Sequence, residues 1–162
     1  MTAARSGQRG SAFIEATLVL LFLFALIFVI IDLSWAQFAK ATLQHAVRAG
    51  VRYAVTGQTG TSPKGVALGQ VASIQQVVQQ ESMGFLTDAS KISVQFFTPG
   101  TNPPTACPST TAGCNAGGNL VVVSVQNFTV NPFAPLLRNG SPVTFTVSAG
   151  DLLEPAATPP AL

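Results

Sequence analysis

The stretch that decides the fold is Arg9–Trp35, which reads RGSAFIEATLVLLFLFALIFVIIDLSW. Ala16 to Ile31 is a run of 16 residues without a charge, and across Ser11–Trp35 only Glu15 and Asp32 can ionise. A bilayer core about 30 Å thick needs roughly 20 helical residues, so the segment is long enough to span. Trp35 falls where an interfacial aromatic belongs. Two other readings compete. A buried helix of a soluble fold would need protein on every face, and the remaining chain is small for that. A cleavable secretory signal would use Arg5 and Arg9 as its basic start and Ser34-Trp35-Ala36 as its cut site. The apolar run is longer than the ~7–15 residues usual for such a signal, and the chain continues as good helix beyond Ala36.

The rest of the composition agrees with a membrane-attached or secreted protein. Of 162 residues, 9% are charged and 48% apolar, against about 25% charged in a typical soluble domain. Disorder over the whole chain is excluded, because it needs few apolar residues and much net charge. Eight Lys and Arg against six Asp and Glu leave a net charge of only +2 with no basic run, which argues against a nucleic-acid binder. Catalytic constellations are missing too. His45 is the single histidine, the acids are scattered, and Lys64-Gly65 is the wrong order for a phosphate loop. The expectation is a non-enzyme with no cofactor, no metal and no small-molecule substrate.

Beyond the span the helix continues. Leu33–Val55 contains no Pro and one Gly, Gly50. Gln37, Lys40, Gln44, Arg48 and Arg52 recur at three- and four-residue spacing and make one polar stripe. The other side carries Ala36, Ala39, Leu43, Ala46, Gly50 and Ala54, small enough to let another helix or a sheet approach closely. Gly57 and Gly60 punctuate the end. As one helix, Ser11–Thr56 would be about 69 Å long at 1.5 Å per residue.

Downstream, Ser62-Pro63 reads as a helix N-cap followed by Pro at the first helical position. Ala67, Val71, Ile74 and Val78 form the apolar stripe of that second helix, and Gly84 ends it. Strands are expected at Lys91–Thr98, Asn119–Val130 and Pro142–Ser148, each rich in β-branched or aromatic residues. The fold class is therefore α+β: a long helix, a short helix and an antiparallel sheet of about three strands. The loop Pro99–Gly118 holds both cysteines, Cys107 and Cys114. Six intervening residues are too many for a CxxC redox pair, and one distant histidine makes a zinc site improbable. Outside the cytoplasm a disulfide is the default. Closing this eight-residue loop would stabilise the fold by roughly 2–3 kcal/mol.

The residues before the span carry a family likeness. A basic leader ending in Gly10, then Ser11-Ala12-Phe13-Ile14-Glu15 and an apolar run, resembles the prepilin leader of the type IV pilins. That resemblance implies cutting by a prepilin peptidase between Gly10 and Ser11, with the helix retained. The new amino group on Ser11 would lie one turn from Glu15, about 6 Å along the axis. It could neutralise Glu15 within the subunit, or Glu15 could reach the amino group of a neighbour. The bland alternative is a Glu15 that snorkels to the interface.

With Asp32 at the span end and QHAVRAGVRYAVTG after it, the resemblance narrows to the TadE family of the tight-adherence (Tad, or Flp) pilus systems. The matching positions are Gly10, Glu15, Asp32, Ala46, Arg48, Gly50, Arg52 and Ala54. The chain departs from that pattern in lacking a Pro within the apolar run and in having Ala49 where an acidic residue is common. The resemblance implies a minor pilin-like subunit, or pseudopilin, acting in pilus assembly. It would sit in the bacterial inner membrane as a single-pass protein, N-terminus in the cytoplasm and pilin-like head in the periplasm. Its partners would be other pilin-like subunits, the assembly platform and the prepilin peptidase. Arg48, Gly50 and Arg52 would offer a helix-face contact, with a solvated face as the plain alternative for the arginines. The expected organisation is leader 1–10, membrane helix 11–35, its extension 36–57, head 58–154 and a Pro/Ala-rich tail 155–162. A secreted or anchored β-rich binding module, such as an adhesin, is the alternative function.

Overall fold

A computed structural model describes residues 8–100, 102–132, 142–155 and 159–162. The first seven residues of the expected leader, the side chain of Ser11 and residues 156–158 of the expected tail lie outside the described residues. One helix, α1, runs Gln8–Val55 over 48 residues. A second, α2, runs Gln70–Glu81, and a 3-10 turn at Ala89–Lys91 leads into a sheet. Its strands are β1 (Ile92–Thr98), β2 (Thr105–Cys107), β3 (Leu120–Val130) and β4 (Val143–Leu152), in the order β2-β1-β3-β4. The chain divides into two units, residues 1–37 with 130–143 and residues 38–129 with 144–162.

In the first unit, α1 is apolar and uncovered. Phe13 through Ile31 expose nearly every large side chain, with Phe13 at 74% and Phe22 at 70%. Water would not tolerate so continuous an apolar surface, because burying each such side chain is worth ~1.5–3 kcal/mol. Among the described side chains the hydroxyls are satisfied within the helix: Thr17 donates to the Phe13 carbonyl (2.8 Å) and Ser34 to that of Ile30 (2.7 Å). Self-satisfied polar groups are what a lipid environment demands. Among the described residues, α1 is the one helix long and apolar enough to cross a membrane.

In the second unit, α1 becomes amphipathic. Ala39, Leu43, Ala46, Val47, Gly50, Val51 and Ala54 are buried, whereas Lys40, Gln44, Arg48 and Arg52 are exposed, continuing the polar stripe that starts at the exposed Gln37. The small side receives α2, which runs antiparallel to it. Gln70 Nε2 donates to the Ala54 carbonyl (3.1 Å), Gly50 faces Ile74 and Val78, and His45 Nδ1 is 3.8 Å from Glu81 Oε2. Farther down, the Phe38 ring meets Phe85 edge-on at 6.1 Å.

The second helix starts at Gln70, not at Ser62-Pro63. Ser62 does cap, but it caps a turn: its Oγ accepts from Val66 N–H (3.2 Å) and its N–H donates to the Val66 carbonyl (2.8 Å). Gly65 adopts φ +77°, left-handed geometry that no α-helix can include. Ala67 is consequently in a bridge with Thr61 rather than on the helix stripe. At its far end α2 stops at Ser82, followed by Met83 and Gly84 at φ 52° and 88°. The Ser82 hydroxyl donates to the Gln79 carbonyl (2.7 Å) and accepts from Leu86 N–H (3.1 Å), closing the turn.

The three expected strands are present, and β4 extends to Leu152. A fourth, β2, lies in the loop that holds the cysteines and pairs antiparallel with β1 at Phe96↔Cys107 through Thr98↔Thr105. β1 pairs antiparallel with β3 from Ile92↔Val125 to Phe97↔Leu120. For β3 and β4, Leu153 N–H bonds to the Asn119 carbonyl while Asn127 N–H bonds to Thr146 Oγ1, so that pair is antiparallel too. The inward positions Ile92, Val94, Phe96, Val121, Val123 and Val125 alternate along their strands and form the core with Ile74, Val78 and Leu43. The fold is α+β, with a small antiparallel sheet beside two helices.

Candidate functional site

The residues that carry the family likeness all lie on α1, but they face different surroundings. Gly10 and Ser11 are within helical backbone near its start. Glu15 is exposed among Phe13, Ile14 and Leu18, a carboxylate on an otherwise apolar surface. In a bilayer such a group costs on the order of a few kcal/mol and is usually paired. Asp32 is half-buried and has a partner.

Higher on the helix, the A-x-R-x-G-x-R-x-A stretch divides by side. Ala46, Gly50 and Ala54 point inward, four residues apart, onto α2. A Cβ placed on Gly50 would collide with Val78 Cγ2 and stand 3.5 Å from Ile74 Cγ2. Arg48 and Arg52, two residues off that row, are exposed. Gly50 is thus occupied by the chain's own second helix, and the arginines present a separate, outward face.

Cys107 and Cys114 are bonded, with Cα atoms 5.6 Å apart. The disulfide joins β2 to the turn that carries Asn115, and there sequence reading missed a feature. Asn115 Nδ2 donates to Gln70 Oε1 (2.7 Å) and to the Pro160 carbonyl (2.7 Å). Gln70 Nε2 reaches Ala54, and Gln70 N–H donates to the Ala161 carbonyl (2.7 Å). Gln70 is fully buried and Asn115 nearly so. The junction ties the last turn of α1, the first turn of α2, the disulfide loop and residues 159–162 together. Part of the expected tail therefore packs as head. No local pattern marks Gln70 or Asn115, because their partners lie 16 and 45 residues away.

Electrostatic features are few. His45 and Glu81 keep 72% and 48% of their side chains exposed, so their pairing adds little. Asp88 caps the 3-10 turn. The backbone N–H of Ser90 (2.9 Å) and then its side chain hold the carboxyl below its ordinary value, with Lys91 assisting. Among the described residues, no group of three or more His, Cys, Asp or Glu could hold a metal ion.

Comparison with known families places this helix. The family model described as "TadE-like protein" matches residues 10–52, from Gly10 to Arg52. No curated protein and no solved structure matches the chain. Residues 10–52 are similar to the TadE-like family, and the resemblance carried by Gly10, Glu15, Arg48, Gly50 and Arg52 falls inside that match.

Proposed function

We propose that this chain is a membrane-anchored, pilin-like subunit acting in assembly of a Tad pilus, and that its work is protein association rather than catalysis. The observation that carries the proposal is the TadE-like match across residues 10–52, lying on one helix with an uncovered apolar stretch. Cleavage after Gly10 by a prepilin peptidase would free the Ser11 amino group on the cytoplasmic side. That cation and Glu15 are one turn apart, about 6 Å along the axis. Glu15 of one subunit pairing with the amino group of the next would neutralise both within lipid. The disulfide supports a head outside the cytoplasm. Arg48 and Arg52 are the free face of the helix for other pilin-like subunits or the assembly platform.

The experiment is a Glu15→Ala substitution in the native host. Pilus assembly should fail while the head stays folded and the disulfide forms. Normal piliation with that variant would remove Glu15 from the proposed mechanism.

A further inference from the structure

The aromatic end of the head has no task in subunit association through Glu15, and its placement suggests one. Because α2 runs antiparallel to α1, its C-terminal turn returns to the level of Phe38. Phe38 is three residues past Trp35 on the same helix, a rise of about 4.5 Å. The headgroup region on each side of a bilayer is about 5–7 Å deep beyond the hydrocarbon core. Chain connectivity alone therefore keeps Phe38 at interfacial depth if the span ends near Trp35.

At that level the chain gathers apolar groups. Phe38 is 48% exposed and touches Phe85, which stacks edge-on with Phe128 at 6.0 Å. Two residues before Phe85, Met83 is 75% exposed. Its φ of 52° lies in the left-handed region that side chains disfavour, and the Ser82 hydroxyl holds this turn from both sides. A flexible thioether presented by a fixed turn suits a soft, irregular partner such as lipid. The segment Ser82–Thr87 has no charge, so attraction to it would be apolar rather than electrostatic.

We propose that the Met83–Phe85 turn is an interfacial membrane contact: it dips into the boundary between headgroups and acyl chains. The inference rests on the reading of α1 as a membrane span. With Phe38, the turn gives the head a point of attachment to the lipid surface.

Met83→Cys, Phe24→Cys and Gln58→Cys would each be labelled with an environment-sensitive dye in the full chain, the native cysteines being paired. The labelled proteins would be reconstituted at low density in phosphatidylcholine vesicles doped with nitroxide lipids. Position 24 reports the span, and position 58, after the far end of α1, reports water. The expected result is loss of fluorescence at position 83 with nitroxide near the headgroup, loss at position 24 with nitroxide deep in the chains, and neither at position 58. If position 24 is quenched and position 83 behaves like position 58, the contact is absent while the span stands. If position 24 is not quenched, the span fails and the contact with it. Shielding of position 83 that appears only at high protein density would assign the surface to another subunit and overturn the proposal.

Discussion

Replacing Gly50 with alanine tests the helix pairing at its tightest point. In an isolated helix this change is favourable by about 1 kcal/mol, because glycine is the poorest helix former after proline. Here the new methyl would run into Val78 Cγ2, with Ile74 Cγ2 at 3.5 Å and the Ile74 carbonyl at 3.8 Å. Val78 and Ile74 are fully buried, and a β-branched valine has little rotamer freedom to yield. Overpacking of this kind costs ~1–3 kcal/mol. The two effects oppose each other, and the steric one wins: the expected net loss is about 1 kcal/mol, or a melting temperature lower by ~4–8 °C for a unit of this size. Thermal unfolding of the detergent-solubilised chain, followed by circular dichroism, would read it. Pairing Gly50→Ala with Val78→Ala should recover part of the loss, since contacting sites couple by ~0.5–3 kcal/mol. A Gly50→Ala variant that is more stable than the parent would refute the close approach of α1 and α2.

Other outcomes follow from the same contacts. Replacing Cys107 and Cys114 by serine should destabilise the head by roughly 2–3 kcal/mol, read as a shifted denaturation midpoint, and an unchanged midpoint would contradict the loop-closure reasoning. Asn115→Ala leaves Gln70 Oε1 and the Pro160 carbonyl short of a donor, at a cost of ~1–3 kcal/mol, and hydrogen exchange at the Gln70 N–H, which donates to the Ala161 carbonyl, should rise. Protection as in the parent would show that the junction does not hold residues 159–162. Asp88 has a folded pKa below its unfolded value, so its stabilising contribution is present above the unfolded value and fades as pH falls through the folded one. Asp88→Asn should therefore flatten the acid limb of the stability profile, and a profile superimposable on the parent's would disprove the cap.

The long apolar helix was legible because a run of apolar residues with isolated acids at Glu15 and Asp32 admits few structures. The strands were legible from β-branched density: β1 and β3 lie within one residue of the expected bounds. The small residues on α1 announced a close approach, and α2 is what approaches. Sequence could not show that Gly50 would be used within the chain while Arg48 and Arg52 stayed outward, since all three share one motif. Helix α2 began later than expected because Ser62 and Pro63 suit a turn as well as a cap, and Gly65 decides between them. Strand β2 is three residues in a Pro- and Thr-rich loop, held by pairing with β1 and by the disulfide rather than by its own propensity. The Gln70–Asn115 junction was invisible because long-range amide pairing leaves no periodicity.

The charges, few as they are, divide by place. Glu15 and Asp32 mark the apolar stretch of α1, Arg48 and Arg52 stay outward on its upper part, and Asp88 caps a turn. That division matches a subunit whose helix associates in the membrane while its head keeps an open surface.

The most direct test of this account is the mass of the protein purified from membranes of its native host. Processing after Gly10 predicts a mature chain that begins at Ser11, with α1 intact and the Cys107–Cys114 bond formed. A chain beginning at Gln37 would show that the apolar helix is a discarded signal, and a chain still carrying Met1 through Gly10 would show that no prepilin peptidase acts on it. Either result would contradict the pilin-like reading.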